Sequence, residues 1–168
     1  MERKHLALVR HAKSSWADAG LADRDRPLNA RGSRAAALVG QHLGDAGIRP
    51  DLALCSSATR ARQTLELLHL ATTTEVRFED QLYAAGPSEL LARLRTIPTL
   101  VKSVLLIGHN PGLEQLARML IGGGGRALPE KFPTAAVADL RVAIRSWEEL
   151  DSGTGRLHTF VIPRKLSE

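Results

Sequence analysis

The 168-residue sequence is poor in three features that would mark whole classes of protein. It has one cysteine, Cys55, so no disulfide can form within the chain, and the apolar run before it is typical of a buried strand. Only six residues are aromatic, which argues against the stacking platforms of single-stranded nucleic-acid binders. No apolar run approaches the roughly 18 residues of a membrane span, and the N-terminus lacks the pattern of a signal peptide. We therefore expect a cytoplasmic protein with no membrane or nucleic-acid partner.

Positive charge is concentrated in the first 62 residues, although the whole chain carries a formal net charge of only +5. Residues 1–62 contain 11 Lys and Arg but 6 Asp and Glu, whereas residues 63–168 contain 12 of each class. This distribution fits a pocket for an anionic ligand. A nucleic-acid patch and a solvated basic surface are the alternatives.

Strand-like and helix-like segments alternate along the chain. Short apolar runs predict strands at Leu6–Val9, Leu52–Cys55, Val76–Phe78, Val104–Ile107, Ala135–Val142 and Leu157–Ile162. Helical spacing predicts helices at Asn29–Leu43, Ala58–Leu70, Pro87–Leu94 and Pro111–Leu120, with Asn29 as an N-cap. This order predicts a three-layer α/β/α fold with a mostly parallel, mixed sheet, in which the last two strands form an antiparallel hairpin. We expect residues 1–168 to form one domain, because no linker or repeat interrupts the pattern.

Reactive polar residues follow three of the predicted strands. Arg10 and His11 come directly after the first strand, Arg60 lies in the segment after the second, and His109 follows the fourth. The carboxyl ends of parallel strands meet at one edge of a sheet. We therefore expect these four side chains to converge in one crevice, where helix N-termini favour an anion.

The residue types in this crevice suit the transfer of a phosphoryl group. Arginine offers a planar fork of donors that matches phosphate oxygens, and neutral histidine offers a nitrogen nucleophile near pH 7. Two arginines and one histidine can bind the non-bridging oxygens while the other histidine attacks phosphorus. The attacking ring must present an unprotonated nitrogen, so its other nitrogen should donate to a carbonyl or similar acceptor. Such a reaction needs no metal or other cofactor, and no His/Cys spacing suggests a zinc site.

The motifs and their order resemble those of the histidine phosphatase superfamily, also called the phosphoglycerate mutase-like group. The stretches that carry this resemblance are Arg10-His11, Ser56–Thr64 and Gly108–Pro111. Longer stretches are similar to the SixA branch, the short phosphohistidine phosphatases: Arg10–Trp16, Asp25–Gly32 and Phe160–Arg164. The resemblance implies a phosphoglycerate mutase-like fold and a covalent phosphohistidine intermediate.

Carried over to this chain, the resemblance implies a role for each residue of the crevice. His11 would be the nucleophile, Arg10 and Arg60 would bind the phosphoryl group, and His109 would bind it and stabilise the transition state. Three further residues are predicted to contact the substrate: Lys13, Ser14 and Arg26. Many members have glycine after the Arg-His pair, whereas this chain has Ala12.

The resemblance to this superfamily also indicates the class of substrate, because its members differ in whether they carry a general acid that protonates the leaving group. Ester-cleaving members carry a Glu or Asp before the third helix, where this chain has Glu79 and Asp80 without a motif that ties either to the role. The SixA branch lacks the usual acid. An alkoxide leaving group needs a proton from the enzyme, whereas the imidazole of phosphohistidine depends on one far less. The sequence therefore predicts a phosphatase that hydrolyses a phosphohistidine-containing protein or a small phosphorylated substrate through phospho-His11.

Other functions are compatible with the same residues. One alternative is a phosphatase of small phosphate esters, in which Glu79 or Asp80 is the general acid. In others, the site binds phosphate without catalysis, or the basic surface binds nucleic acid. The oligomeric state is open, with a monomer compatible with the sequence. Both Trp16 and Trp147 are expected to be packing residues.

Overall fold

The protein is built around a six-stranded sheet with the strand order β3-β2-β4-β1-β5-β6. The structure is a computed structural model that describes residues 3–166. The strands are β1 (Lys4–Arg10), β2 (Leu52–Ser56), β3 (Glu75–Glu79), β4 (Ser103–Gly108), β5 (Val137–Val142) and β6 (Gly155–Val161). β1 to β4 are parallel, whereas β5 is antiparallel to both β1 and β6.

Helices cover both faces of this sheet. They are α1 (Ala30–Asp45), α2 (Thr59–Leu68), α3 (Pro87–Arg95), α4 (Gly112–Ile121) and α5 (Pro163–Leu166). Alternate residues of β1 point to opposite faces, so Leu6 and Leu8 join the core under α3 and α4, while Ala7 and Val9 join the core under α1 and α2. The predicted three-layer α/β/α fold with a mixed sheet is confirmed.

The ends of the predicted elements differ from the observed ends by at most two residues. Asn29 caps α1 as predicted, because its side-chain oxygen accepts a hydrogen bond from Gly32 N–H at 2.7 Å. The four-residue α5 was not predicted, since a single turn is too short to show helical periodicity. Within residues 3–166, no helix has the length and apolar character needed to cross a bilayer.

The pairing of β1 with β4 brings the two histidine motifs side by side. Arg10 is aligned with Gly108 in the parallel register, and His11 N–H donates to the Gly108 carbonyl at 3.1 Å. The chain therefore leaves both strands at the same edge of the sheet, with His11 next to the start of the Gly108-His109 turn.

The first turn of α1 lies against the backbone that follows His11. A Cβ atom at Gly32 would lie only 2.1 Å from the Lys13 carbonyl oxygen, whereas one at Gly44 of the same helix would meet nothing within 4 Å. Glycine at position 32 thus allows α1 to support the segment that carries the histidine.

These two glycines provide a matched pair of variants. Gly44→Ala should raise the free energy of unfolding by up to about 1 kcal/mol, because alanine is the better helix former. Gly32→Ala should instead lower it by about 1–3 kcal/mol, since the added methyl group overpacks the contact with Lys13. Urea denaturation of both variants measures the difference, and similar changes at the two positions would contradict the close approach.

Candidate active site

His11 lies just beyond β1 and is only 8% exposed. Its Nδ1 lies 2.7 Å from the Ala12 carbonyl oxygen. A carbonyl can only accept, so this contact puts the ring proton on Nδ1 and leaves Nε2 unprotonated, with its lone pair. Burial lowers the pKa of His11 to about 4, opposed by the Ala12 hydrogen bond and assisted by the positive charges of Arg60 and Arg10. At pH 7 the ring is therefore neutral.

Arg60, in the first turn of α2, provides the cation nearest to the free nitrogen. Its Nε donates to His11 Nε2 at 3.4 Å. Its other two nitrogens are held by Asp23: Nη1 donates to the backbone carbonyl at 2.7 Å, and Nη2 to the carboxylate at 3.0 Å. The guanidinium is thus fixed beside the atom on which a phosphoryl group would be carried.

Arg10, the last residue of β1, is a second cation close to the two histidines. Its positive charge contributes to lowering the pKa of both His11 and His109. Nη1 donates to the Phe132 carbonyl at 3.0 Å, whereas the buried Nε has no hydrogen-bond partner within residues 3–166. Arg10 therefore holds a buried donor that no described residue satisfies.

His109 follows β4, and its ring centroid lies 5.0 Å from that of His11. Its Nε2 is 2.7 Å from Ser56 Oγ, which also accepts a hydrogen bond from Ala58 N–H at 3.2 Å. The Ser56 hydroxyl can either donate to Nε2 or accept from it. In the tautomer in which Ser56 donates, the ring proton lies on the buried Nδ1, which has no partner in the described part of the chain and is then a donor for a ligand. Burial, then the charges of His11 and Arg60, lower the pKa of His109 to about 3.

The structure thus brings together all four residues that the sequence assigned to one crevice. An open cleft of about 380 Å³, in the size range of small-molecule sites, is lined by Arg60 and His109. Arg10 and His11 are not among its lining residues, and His11 contacts Arg60 and the His109 ring from the buried side. Residues from four segments line the cleft, among them Asp23, Arg60, Tyr83, His109, Gly112 and Gln115. The arrangement can hold an oxyanion against two arginines while a neutral imidazole nitrogen faces it.

Sequence reasoning missed three polar residues of this site: Asp23, Ser56 and Tyr83. The Asp23 carboxylate accepts hydrogen bonds from Tyr83 and from two arginines, and the Tyr83 bond contributes most to lowering its pKa to about 2. Ser56 could have been found, because it ends β2 at the same sheet edge as His109. Asp23 lies in a short 3-10 turn at Asp23–Asp25, and no local sequence pattern predicts the path of such a loop.

The three further predicted contact residues lie around the site but do not line the described cleft. Lys13 is exposed, and its carbonyl accepts from Asn29 N–H at 3.0 Å. Ser14 is nearly buried and forms an isolated bridge with Leu28. Arg26 is also buried, and its guanidinium binds the Asp23 carboxylate at 3.1 Å, so it is connected to the site through Asp23.

The expectation that Trp16 is a packing residue is wrong for the core of the protein. Its side chain is 77% exposed, and its ring lies over the Arg26 guanidinium at 3.4 Å. The reason is its position in the loop that follows His11, outside the layers of the sheet. Trp147, in contrast, is fully buried in the core, as expected.

Both carboxylates considered as a general acid are bound to arginines. Glu79 accepts from Arg93 Nε at 2.7 Å and from Arg93 Nη2 at 2.9 Å. Asp80 is exposed, and hydrogen bonds from Ser57 and Arg24 lower its pKa. Neither residue lines the cleft. No group of three or more His, Cys, Asp or Glu in residues 3–166 is arranged to hold a metal ion.

Comparison with known proteins identifies relatives along most of the chain. A family model of the histidine phosphatase superfamily (branch 1) matches residues 6–84. An uncharacterised protein from Mycobacterium tuberculosis is 39% identical over 162 residues, covering 93% of this chain and all of that protein.

Solved structures extend this likeness to the whole fold. A candidate phosphohistidine phosphatase SixA from Nakamurella multipartitia has a TM-score of 0.84 at 30% identity and covers 97% of this chain and 98% of its own. The protein histidine phosphatase SixA, solved with tungstate, has a TM-score of 0.78 at 26% identity, covering 96% of this chain and 99% of its own. The chain described here belongs to the histidine phosphatase superfamily, in its SixA-like branch.

Proposed function

We propose that this protein is a phosphohistidine phosphatase that works through a phosphoryl group carried on His11. The observation that carries the proposal is the state of His11. Nδ1 is committed to the Ala12 carbonyl, and Nε2 carries the lone pair, which accepts a long hydrogen bond from Arg60 Nε at 3.4 Å. A neutral nucleophile beside a permanent cation is suited to attack an anionic phosphoryl group.

The proposed reaction has two steps. His11 Nε2 first attacks phosphorus in line, and the P–N bond to the substrate imidazole breaks. The electron pair of that bond returns to the imidazole, which takes a proton from water. Water then attacks phospho-His11, releasing inorganic phosphate and restoring the free Nε2 lone pair.

Catalysis in this proposal comes from positioning and charge. Arg10 and Arg60 bind the non-bridging oxygens, and His109, in the tautomer with its proton on Nδ1, donates to a third as negative charge develops. The reaction uses no metal ion or other cofactor, because the arginines supply the positive charge. Lys13 and Ser14 remain predicted contacts for the substrate.

The surroundings of the cleft favour a nitrogen-linked phosphoryl group. Release of an alcohol requires a positioned acid, but Glu79 is bound by Arg93, and Asp80 is exposed with a lowered pKa. The SixA proteins supply further support, since they are named for phosphohistidine and one was solved with tungstate, a tetrahedral oxyanion like phosphate. We propose that the protein acts in the cytoplasm on a phosphohistidine-containing protein. A small phosphate ester is the second candidate substrate, because the cleft has the volume of a small-ligand site.

The intermediate can be trapped directly. Brief incubation with a phosphohistidine peptide labelled with ³²P should leave an acid-labile, base-stable adduct on the protein. His11→Ala should lack the adduct and lose about 10⁶-fold in kcat/KM, a loss comparable to that seen when a triad nucleophile is removed. Turnover that survives in His11→Ala would exclude the mechanism.

The choice between nitrogen and oxygen leaving groups is tested with the two carboxylates. Glu79→Gln and Asp80→Asn should each change kcat/KM for a phosphohistidine peptide by less than about threefold, because neither carboxylate gives a proton to the leaving group. The wild-type protein should also prefer this peptide to an alkyl phosphate. A preference for the alkyl phosphate that either substitution abolishes would support the ester reaction instead.

The neutral state of His11 can be measured without substrate. In an NMR titration of ¹⁵N-labelled histidine, the His11 ring should stay neutral as the pH falls from 7 to 5 and take up a proton near pH 4. The protonated ring has no lone pair to attack phosphorus, so enzymatic hydrolysis should persist down to pH 5 and be lost as the pH falls through about 4. A His11 midpoint near the ordinary value of about 6.5 would contradict this assignment.

A further inference from the structure

The two edges of the Arg60 guanidinium have different partners. A guanidinium has five N–H groups, which form one fork between its two Nη atoms and another between Nε and Nη2. Asp23 occupies the first fork, through its backbone carbonyl at 2.7 Å from Nη1 and its carboxylate at 3.0 Å from Nη2. The second fork includes the Nε–H group that is directed at His11 Nε2.

Asp23 is itself held from two further directions. Arg26 donates to its other carboxylate oxygen from Nε at 3.2 Å, and the Tyr83 hydroxyl donates to the oxygen that Arg60 also binds. Arg26 in turn is fixed by the Ser15 carbonyl at 3.3 Å and covered by the Trp16 ring. The carboxylate therefore has little freedom, although its side chain is half exposed.

We propose that Asp23 is a positioning residue that holds Arg60 by one fork so that the other fork faces the phosphoryl group on His11. This assignment deepens the proposed function and rests on it for the identity of the group that Arg60 binds. The loop that carries Trp16, Asp23 and Arg26 shares this positioning role, because through Asp23 it determines the orientation of Arg60 on α2.

An opposite role for Asp23 would be competition. A carboxylate close to an anion site repels phosphate, and removing it would then tighten phosphate binding. The contacts favour positioning, since Asp23 is bound by two cations and so leaves a net positive charge among Arg26, Asp23 and Arg60. Asp23 also leaves the Nε–H group of Arg60 unoccupied by its own atoms.

The two roles predict changes of opposite sign in an isosteric variant. Asp23→Asn keeps the shape of the side chain but loses its charge and one acceptor oxygen, so Arg60 should turn away from His11. The Kd for inorganic phosphate, measured by ³¹P NMR, should rise about tenfold, as expected when a hydrogen bond to a charged group is lost. Asp25→Asn, an exposed neighbour in the same turn, is the control and should change the Kd by less than twofold. A lower Kd in Asp23→Asn would overturn the proposal in favour of competition, and an unchanged Kd would overturn it outright.

A double-mutant cycle separates positioning from a general loss of structure. Asp23→Asn should reduce kcat/KM for a phosphohistidine peptide about tenfold in the wild-type background, but by less than about twofold in the Arg60→Ala background. Equal losses in both backgrounds would show that Asp23 does not act through Arg60. The phosphate measurement needs no turnover, so it still tests Asp23 if the wild-type protein fails to hydrolyse phosphohistidine and the proposed function is abandoned.

Discussion

The hydrogen bond from His11 Nδ1 to the Ala12 carbonyl oxygen determines what the rest of the site can do. With the ring proton fixed there, Nε2 keeps its lone pair and faces Arg60. The opposite tautomer would present an N–H group to the same cation, and neither arginine could then assist an attack. Because the acceptor is the backbone of the next residue, the constraint follows from the path of the chain after β1 rather than from a replaceable side chain.

Burial and positive charge act on this nitrogen in the same direction. Both lower the pKa of His11, and the same arginines are available to bind the charge of a phosphoryl group. In the proposed reaction, burial and these cations keep His11 unprotonated before the attack, and the cations then stabilise the anionic phosphoryl group. Burial likewise lowers the pKa of His109, and the charge on a protonated His11 lowers it further.

Sequence predicted the elements of the fold and the convergence of its principal site residues, because both depend on strand ends. Apolar runs marked β1, β2 and β4, and parallel pairing then brought Arg10, His11 and His109 to one edge. The loop between β1 and α1 could not be predicted in this way. Its conformation depends on contacts between Asp23 and residues far along the chain. One of these is Tyr83, which lies 60 positions after Asp23. The exposed position of Trp16 has the same origin, since apolar character alone does not reveal a ring that covers an arginine.

The two tryptophans of the chain lie in very different surroundings. Trp147 is enclosed in the core, whereas Trp16 lies on the loop at the rim of the site with most of its ring in water. Fluorescence that a soluble quencher can reach therefore comes almost entirely from that loop. The protein thus carries a natural optical probe of the segment that holds Asp23, separate from the signal of its interior.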